Sequence, residues 1–333
     1  MVTHIEGSIY CIEVELRGNP LKSLNAYLIK GEARNLLIDT GFNTPWCRKD
    51  LLEGLQQLNV SLENTDIFIT HVHSDHYGLA TKIAAPTSRL YMSSIDRFTL
   101  TREGKIQSWD ETVQRQIMNG FPPEEMNRAI DISISDDADD ELDIVTPIED
   151  GELFCYGGLH LRAILTPGHS PGHMCLYDEK QGIIFLGDHI LFDITPNITY
   201  WYNAKDSLGS YIRSLLKIRD LYIRLPLPAH RSVIGTVPER VDEIIEHHAE
   251  RLLEILATME LFPNGATAYQ VSGGITWHIR VDKPGWENFP EVQKWFAVGE
   301  TAAHLDYLVQ REQIRCKQIG DVNYYWLNKY YPG

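Results

Sequence analysis

The sequence predicts an α/β protein with a smaller, mostly helical domain at its carboxyl end. Short apolar strands alternate with helices over the first two-thirds of the chain. A long amphipathic helix then begins at Pro238, and two further helices and a β-hairpin follow it. Because 333 residues exceed the usual length of one domain, we expect one domain at 1–236 and a second at 237–333. The order helix, helix, hairpin makes the second domain winged-helix-like.

Strand and helix signals follow one another in the first domain. Residues 12–16 alternate apolar and acidic side chains, which is typical of a half-buried strand, and two short strands follow around Gly31. Thr44 followed by Pro45 predicts the start of a helix that runs to about Leu58. The other predicted elements are strands at 66–70, 89–92, 159–165, 174–178, 182–188 and 223–230 and helices at 76–85, 93–119, 123–130 and 206–219.

An insertion is expected at about 93–150, because helical patterns there lead into a strongly acidic stretch. Residues 131–150 contain nine acidic side chains and no basic one. The spacing and central glycine of a calcium-binding EF-hand loop are absent. A solvated loop is therefore favoured over a calcium site.

The chain is acidic, with 46 Asp and Glu against 30 Lys and Arg and a formal charge of −16. Nucleic-acid binding is disfavoured, because phosphate contacts require concentrated positive charge. Five scattered cysteines with no CxxC pair argue against a disulfide framework and against a cysteine zinc site. The sequence has no apolar run of about 18 residues and no leader-like start, so we predict a cytoplasmic protein that does not associate with membranes.

The segment HVHSDHYG places several potential metal ligands at the end of a predicted strand. It contains His71, His73, Asp75 and His76. Alternation in an extended turn places His71 and His73 on the same side, whereas Asp75 and His76 point to a neighbouring place. Imidazole and carboxylate ligands suit zinc, and also iron or manganese. One short loop can therefore offer ligands to two adjacent metals.

This segment resembles the HxHxDH signature of the metallo-β-lactamase superfamily. Three later motifs match the rest of that family's ligand set in the expected order: TPGHSPGH with His169, FLGDH with Asp188 and LPAH with His230. The resemblance covers about residues 8–235 and implies an αββα sandwich. It implies that the first metal is bound by His71, His73 and His169, and the second by Asp75, His76 and His230, with Asp188 bridging.

The resemblance also implies a hydrolase that uses a metal-bridging hydroxide. Two divalent cations lower the pKa of a shared water, with Zn²⁺ expected and Mn²⁺ or Fe²⁺ as alternatives. Asp75 and Asp39 are the candidate catalytic carboxylates. Asp75 handles the proton, and Asp39 in the IDTG segment matches an acid that steadies the ligands. An Asx-turn before Gly41 is the alternative role for Asp39.

Four other histidines are not assigned as ligands. His173 is interpreted as packing at the start of a strand, and His189 is left unassigned. His247 and His248 lie within the long helix, where we expect them at the helix surface.

Three functions are compatible with these motifs. The first is hydrolysis of a small ester, thioester or lactone. The second is cleavage of single-stranded RNA with the C-terminal domain as a clamp, and the third is a mononuclear-iron persulfide dioxygenase. Residues 262–333 contain seven acidic and seven basic side chains, which disfavours RNA as a partner. We expect this region to shape the substrate cleft or to contribute to a homodimer.

Overall fold

The computed structural model describes residues 1–126, 144–201, 204–277 and 285–332, with only the backbone considered at 102–103 and 105–109. Part of the predicted helix at 123–130 and of the acidic segment at 131–150 lies outside the described residues. Contacts divide the chain into two compact units. The first unit comprises Met1–Lys105, Asp139–Pro196 and Arg213–Val241, and the second comprises Ile106–Ala138, Asn197–Ile212 and Asp242–Gly333.

A seven-stranded sheet of the first unit follows the chain order from one edge to the other. Its first three pairings are antiparallel, and the last three are parallel. Because β4, β5 and β6 run parallel, their carboxyl ends meet at one edge of the sheet. Its strands are β1 (Val2–Glu6), β2 (Ile9–Glu15), β3 (Ser23–Ile29), β4 (Asn35–Ile38), β5 (Thr65–Phe68), β6 (Leu90–Ser93) and β7 (Val145–Ile148).

A five-stranded sheet packs against the first one, with the strand order β12-β11-β10-β9-β8. Its strands are β8 (Leu153–Tyr156), β9 (Leu159–Leu165), β10 (Met174–Asp178), β11 (Ile183–Gly187) and β12 (Leu225–Pro228). Apolar side chains from both sheets form one buried core, in which Tyr27 meets Phe185 edge-on at 5.5 Å and Phe68 meets Phe154 at 5.7 Å. This packing of two inner faces is the sandwich that the sequence predicts.

The helices are α1 (Pro45–Gln57), α2 (Ser74–Tyr77), α3 (Ala80–Ile83), α4 (Ser94–Leu100), α5 (Arg102–Met118), α6 (Ser207–Arg219), α7 (Val237–Met259), α8 (Ala268–Ser272) and α9 (Glu291–Gln310). The predicted start of α1 is confirmed, because the Thr44 side chain accepts a hydrogen bond from the Cys47 N–H and Pro45 is the first helical residue. The predicted helix at 76–85 is wrong in detail. It is two short helices separated where the Leu79 N–H bonds to the Gly41 carbonyl.

The second unit has its own apolar core. Side chains of α7, α8, α9 and the hairpin of β13 (Ile314–Ile319) and β14 (Val322–Leu327) pack together in it. The element order is the predicted one, whereas the division at 236/237 and the winged-helix character remain predictions. The surface prediction for His248 is wrong, since this residue is 1% exposed and its Nδ1 lies 3.1 Å from Nε2 of His304.

No helix among the described residues combines the length and the apolar character needed to cross a membrane.

Candidate metal centre

All seven predicted ligand side chains lie at one edge of the sandwich. Each is in the segment that follows a strand. The segment after β5 contributes His71 and His73 from a loop and Asp75 and His76 from the short helix α2, and the loops after β9, β11 and β12 contribute His169, Asp188 and His230, respectively. Seven donors from four distant segments therefore converge because their strands end at the same edge.

The first donor set consists of His71, His73 and His169. One nitrogen of each ring lies within 4.8 Å of the others, and Nε2 of His71 is 2.9 Å from Nδ1 of His73. His71 is fully buried and His169 is 6% exposed. The predicted placement of His71 and His73 on one side of the turn agrees with this geometry.

The second donor set consists of Asp75, His76 and His230. The Nε2 atoms of His76 and His230 are 3.3 Å apart, and they lie 3.6 Å and 3.3 Å from Oδ2 of Asp75, respectively. Both rings are fully buried. The three donors thus form a compact triangle next to the first set.

Asp188 lies between the two sets. Its Oδ1 is 3.5 Å from Nε2 of His76 and 3.4 Å from Nε2 of His230. Its Oδ2 is 3.5 Å from Nε2 of His169. One carboxylate therefore presents one oxygen to each set, which is the arrangement that a bridging ligand requires.

Hydrogen bonds behind the donors fix the orientation of three imidazoles. Oδ2 of Asp39 accepts from Nδ1 of His76 at 2.8 Å, so that Nε2 of His76 faces the donor set. Thr70 donates its hydroxyl to the same Asp39 oxygen at 2.8 Å, and its Oγ1 lies 3.0 Å from Nδ1 of His71. Nδ1 of His230 donates to the carbonyl of Ser23 at 2.7 Å. Asp39 therefore contacts a candidate ligand, and does not simply form a local turn.

The electrostatics of the two sets differ. Burial and the neighbouring imidazoles lower the pKa of His71 well below its ordinary value, and burial with His169 lowers that of His73 to about 3. Burial also lowers the pKa of His76, but the surrounding carboxylates outweigh it and raise the pKa well above its usual range. His71 and His73 of the first set are thus held in their neutral form, in which a ring nitrogen can act as a ligand.

The carboxylates of Asp188 and Asp75 are held in their charged form. Burial raises the pKa of Asp188, but the imidazoles of His230 and His76 outweigh it, and the net shift is well below the ordinary value. Burial also raises the pKa of Asp75, but neighbouring groups outweigh it and lower the pKa below its ordinary value. The largest of these lowering effects comes from His76.

The spacing of the second donor set and Asp188 fits a divalent cation. A tetrahedral cation with bonds of about 2.0–2.1 Å places its ligands roughly 3.3 Å apart, close to the 3.3–3.6 Å separations around Asp75, His76, Asp188 and His230. Oδ2 of Asp75 and Oδ1 of Asp188 are buried and have no hydrogen-bond partner among the described residues. A buried carboxylate oxygen without a donor is costly unless a cation compensates it.

Of the two other histidines near the centre, His173 contacts the backbone of the candidate ligand Asp188. It is fully buried, its Nδ1 lies 2.8 Å from the Thr166 hydroxyl, and its Nε2 accepts from the backbone N–H of Asp188 at 3.1 Å. The prediction that His173 packs at a strand start agrees with this position. His189 is also fully buried and belongs to neither donor set.

Asp96 was not predicted from the sequence as a functional residue. Its side chain joins the loop that contains His71 and His73 to the loop that contains His169. This residue lies in the first turn of α4 and is fully buried. It accepts hydrogen bonds from the Val72 N–H, the Ser170 hydroxyl and the Gly172 N–H. An aspartate in a first turn after Ser93 is typical of ordinary helix capping, so the sequence contained no distinctive signal for this contact.

Two packed sheets with flanking helices and a histidine–carboxylate centre at one edge define an αββα metalloprotein fold. The family model for the metallo-beta-lactamase superfamily matches residues 20–230. The chain belongs to this superfamily, which confirms the resemblance seen in the sequence and is consistent with a metal-dependent hydrolase.

Relatives and solved structures agree with this membership. The chain is 28% identical over 275 residues to the lactamase-like protein nscB of Neosartorya fischeri, covering 79% of this chain and 67% of the relative. It is 26% identical over 328 residues to the lactamase-like protein adaB of Aspergillus niger, covering 86% of each. A metallo-beta-lactamase family protein from Thermus thermophilus superimposes with a TM-score of 0.78 and 26% identity, over 98% of this chain and 100% of that one.

Proposed function

We propose that this protein is a dinuclear metal-dependent hydrolase of a small ester, thioester or lactone. The observation that carries the proposal is the pair of adjacent donor sets with Asp188 presenting one oxygen to each. His71, His73 and His169 would hold one cation, and Asp75, His76 and His230 would hold the other. Zn²⁺ suits this mixture of imidazole and carboxylate, and Mn²⁺ or Fe²⁺ are alternatives. When bound, such a pair supplies an activated water and polarises the substrate oxygen.

The protein's own groups have three tasks in this reaction. Asp39, Thr70 and the Ser23 carbonyl hold the imidazoles in the tautomers that leave Nε2 available. Asp75 contacts one donor set only, whereas Asp188 presents an oxygen to each, so Asp75 is the carboxylate assigned to accept the proton of the attacking water. Burial of the remaining donors other than the partly buried His73 limits solvent access to the ligand side of the centre.

A mononuclear dioxygenase is the second candidate, and the geometry argues against it. An iron bound by His71, His73 and His169 leaves the second triangle without a role. That triangle has its own orienting hydrogen bonds, from His76 to Asp39 and from His230 to Ser23. Such support for two of the three further donors is what a second cation requires.

RNA cleavage is the third candidate, and the charges of the C-terminal region argue against it. Arg311, Arg315 and Lys317 are its clustered basic residues. The Arg311 guanidinium lies 3.3 Å from the Asp206 carboxylate and stacks on the Tyr307 ring. A cation engaged in this way contributes little to a phosphate-binding surface.

Metal analysis and kinetics together test the proposal. Protein purified without added metal is expected to contain two equivalents of zinc or manganese and to hydrolyse members of a panel of thioesters, esters and lactones. Asp75→Asn is expected to reduce kcat by at least about a hundredfold, because it removes a donor and the proton acceptor. Asp193→Asn, an exposed carboxylate in the same loop region as Asp188, is the control and should retain activity. One equivalent of iron and no hydrolysis would overturn the proposal in favour of the dioxygenase.

A further inference from the structure

Asp96 connects two loops that are far apart in the sequence. Its Oδ2 accepts from the Val72 N–H at 2.9 Å and from the Ser170 hydroxyl at 2.6 Å, and its Oδ1 accepts from the Gly172 N–H at 2.7 Å. Val72 lies between His71 and His73, and Ser170 directly follows His169. One side chain therefore holds together the two segments that contribute the whole first donor set.

The contact is closely fitted. The Ser93 hydroxyl accepts from the Asp96 N–H at 3.1 Å and so fixes the start of α4. A Cβ atom at Gly172 would overlap both the Ser93 hydroxyl and Oδ1 of Asp96. Glycine at position 172, in the second PGH of TPGHSPGH, thus lets the backbone of the His169 loop approach the carboxylate.

The chemistry of Asp96 differs from that of an ordinary buried ion pair. Asp66, within β5, is also fully buried, but the Arg34 guanidinium binds it at 2.9 Å and 2.6 Å. All the hydrogen-bond partners of Asp96 among the described residues are uncharged, and burial raises its pKa to about 6. A buried carboxylate that has no basic side chain as a partner lowers stability. Packing alone therefore does not account for the presence of an aspartate at position 96.

We propose that Asp96 is a positioning residue that sets the spacing of His71, His73 and His169 for the first cation. The inference rests on the metal-dependent function proposed above. Charge-assisted hydrogen bonds to backbone N–H groups are short and directional, so they restrain both loops at once. Loss of the carboxylate should let the loops separate, which lowers the affinity of the first set while the second set keeps its own supports.

Zinc affinity measured against a competing chelator tests this inference. A His230→Ala background, which removes a donor from the second set, isolates the first set. In that background Asp96→Asn is expected to weaken zinc binding about tenfold or more, since the amide puts a donor opposite one of the N–H or O–H groups. Asp66→Asn is the matched control: it should lower the melting temperature of the metal-free protein and leave zinc affinity unchanged.

A milder pair of variants decides the question if either asparagine variant does not fold. Ser170→Ala removes one hydroxyl donor to Asp96, and Tyr156→Phe removes one hydroxyl donor to Asp66. We expect a several-fold loss of zinc affinity for the first variant and none for the second. Wild-type zinc affinity in both Asp96→Asn and Ser170→Ala, with a loss of melting temperature like that of the controls, would show a purely structural role. Zinc affinity is measured separately from turnover, so a protein that binds zinc but hydrolyses nothing would refute the proposed function and leave this inference intact.

Discussion

Asp39→Asn should weaken metal binding by changing the tautomer of His76. The Asp39 carboxylate accepts three hydrogen bonds, from the Thr70 N–H at 2.9 Å, the Thr70 hydroxyl at 2.8 Å and Nδ1 of His76 at 2.8 Å. Position 39 has φ of 60°, a conformation that asparagine tolerates well, so the substitution adds no backbone strain. An amide at this position places a donor opposite either the Thr70 N–H or the His76 Nδ1–H.

When the amide donor faces Nδ1 of His76, the ring proton moves to Nε2. Nε2 then has no lone pair to offer a cation. A hydrogen bond to a charged group contributes about 1.5–3 kcal/mol, and 1.4 kcal/mol corresponds to a factor of ten. We therefore expect the affinity of the second set to fall by roughly 10- to 100-fold, in line with other residues that orient metal ligands.

Competition with a chromogenic chelator measures this loss, and circular dichroism checks that the metal-free variant is folded. Thr70→Val is the informative comparison, because it removes the Oγ1 contact to His71 and keeps the bond between Asp39 and His76. It should weaken the first cation and leave the second within about threefold. If Asp39→Asn bound both zinc ions with wild-type affinity, the orienting role of Asp39 would be refuted.

Two further predictions concern the second unit. Fluorescence anisotropy with a labelled single-stranded RNA should show weak binding that is unaffected by joint replacement of Arg311, Arg315 and Lys317 by alanine. Sub-micromolar affinity at physiological salt, lost in that variant and with a log–log salt slope of roughly −0.7 per phosphate, would instead support the endonuclease. Burial raises the pKa of Glu300 to about 7, against an ordinary value of 4.5. Protonated Glu300 therefore contributes most to the free energy of unfolding below pH 4.5. This contribution, at most about 3 kcal/mol, is lost as the pH rises through 7. The melting temperature of Glu300→Gln minus that of the wild type should increase between about pH 5 and pH 8, and a difference independent of pH would contradict this assignment.

Local sequence determined the donors and most of the elements. HVHSDHYG places four donors in one turn, and the other three follow strand ends that apolar runs mark clearly. Thr44 and Pro45 marked the start of α1. These features depend on neighbours along the chain, where side-chain period and capping chemistry act directly.

Tertiary structure decided how the donors are held. Asp96 meets Gly172 across 76 positions and His248 meets His304 across 56, and neither pair has a pattern that marks it in advance. The backbone carbonyl of Ser23 orients His230 across 207 positions, and a carbonyl group has no side-chain identity to detect. The same holds for the break between α2 and α3, which depends on a bond from Leu79 to Gly41. The contacts of Asp96 and His230 exist because two sheets bring distant strand ends to one edge, whereas His248 and His304 meet where two helices of the second unit pack. Both kinds of convergence are properties of the packed chain.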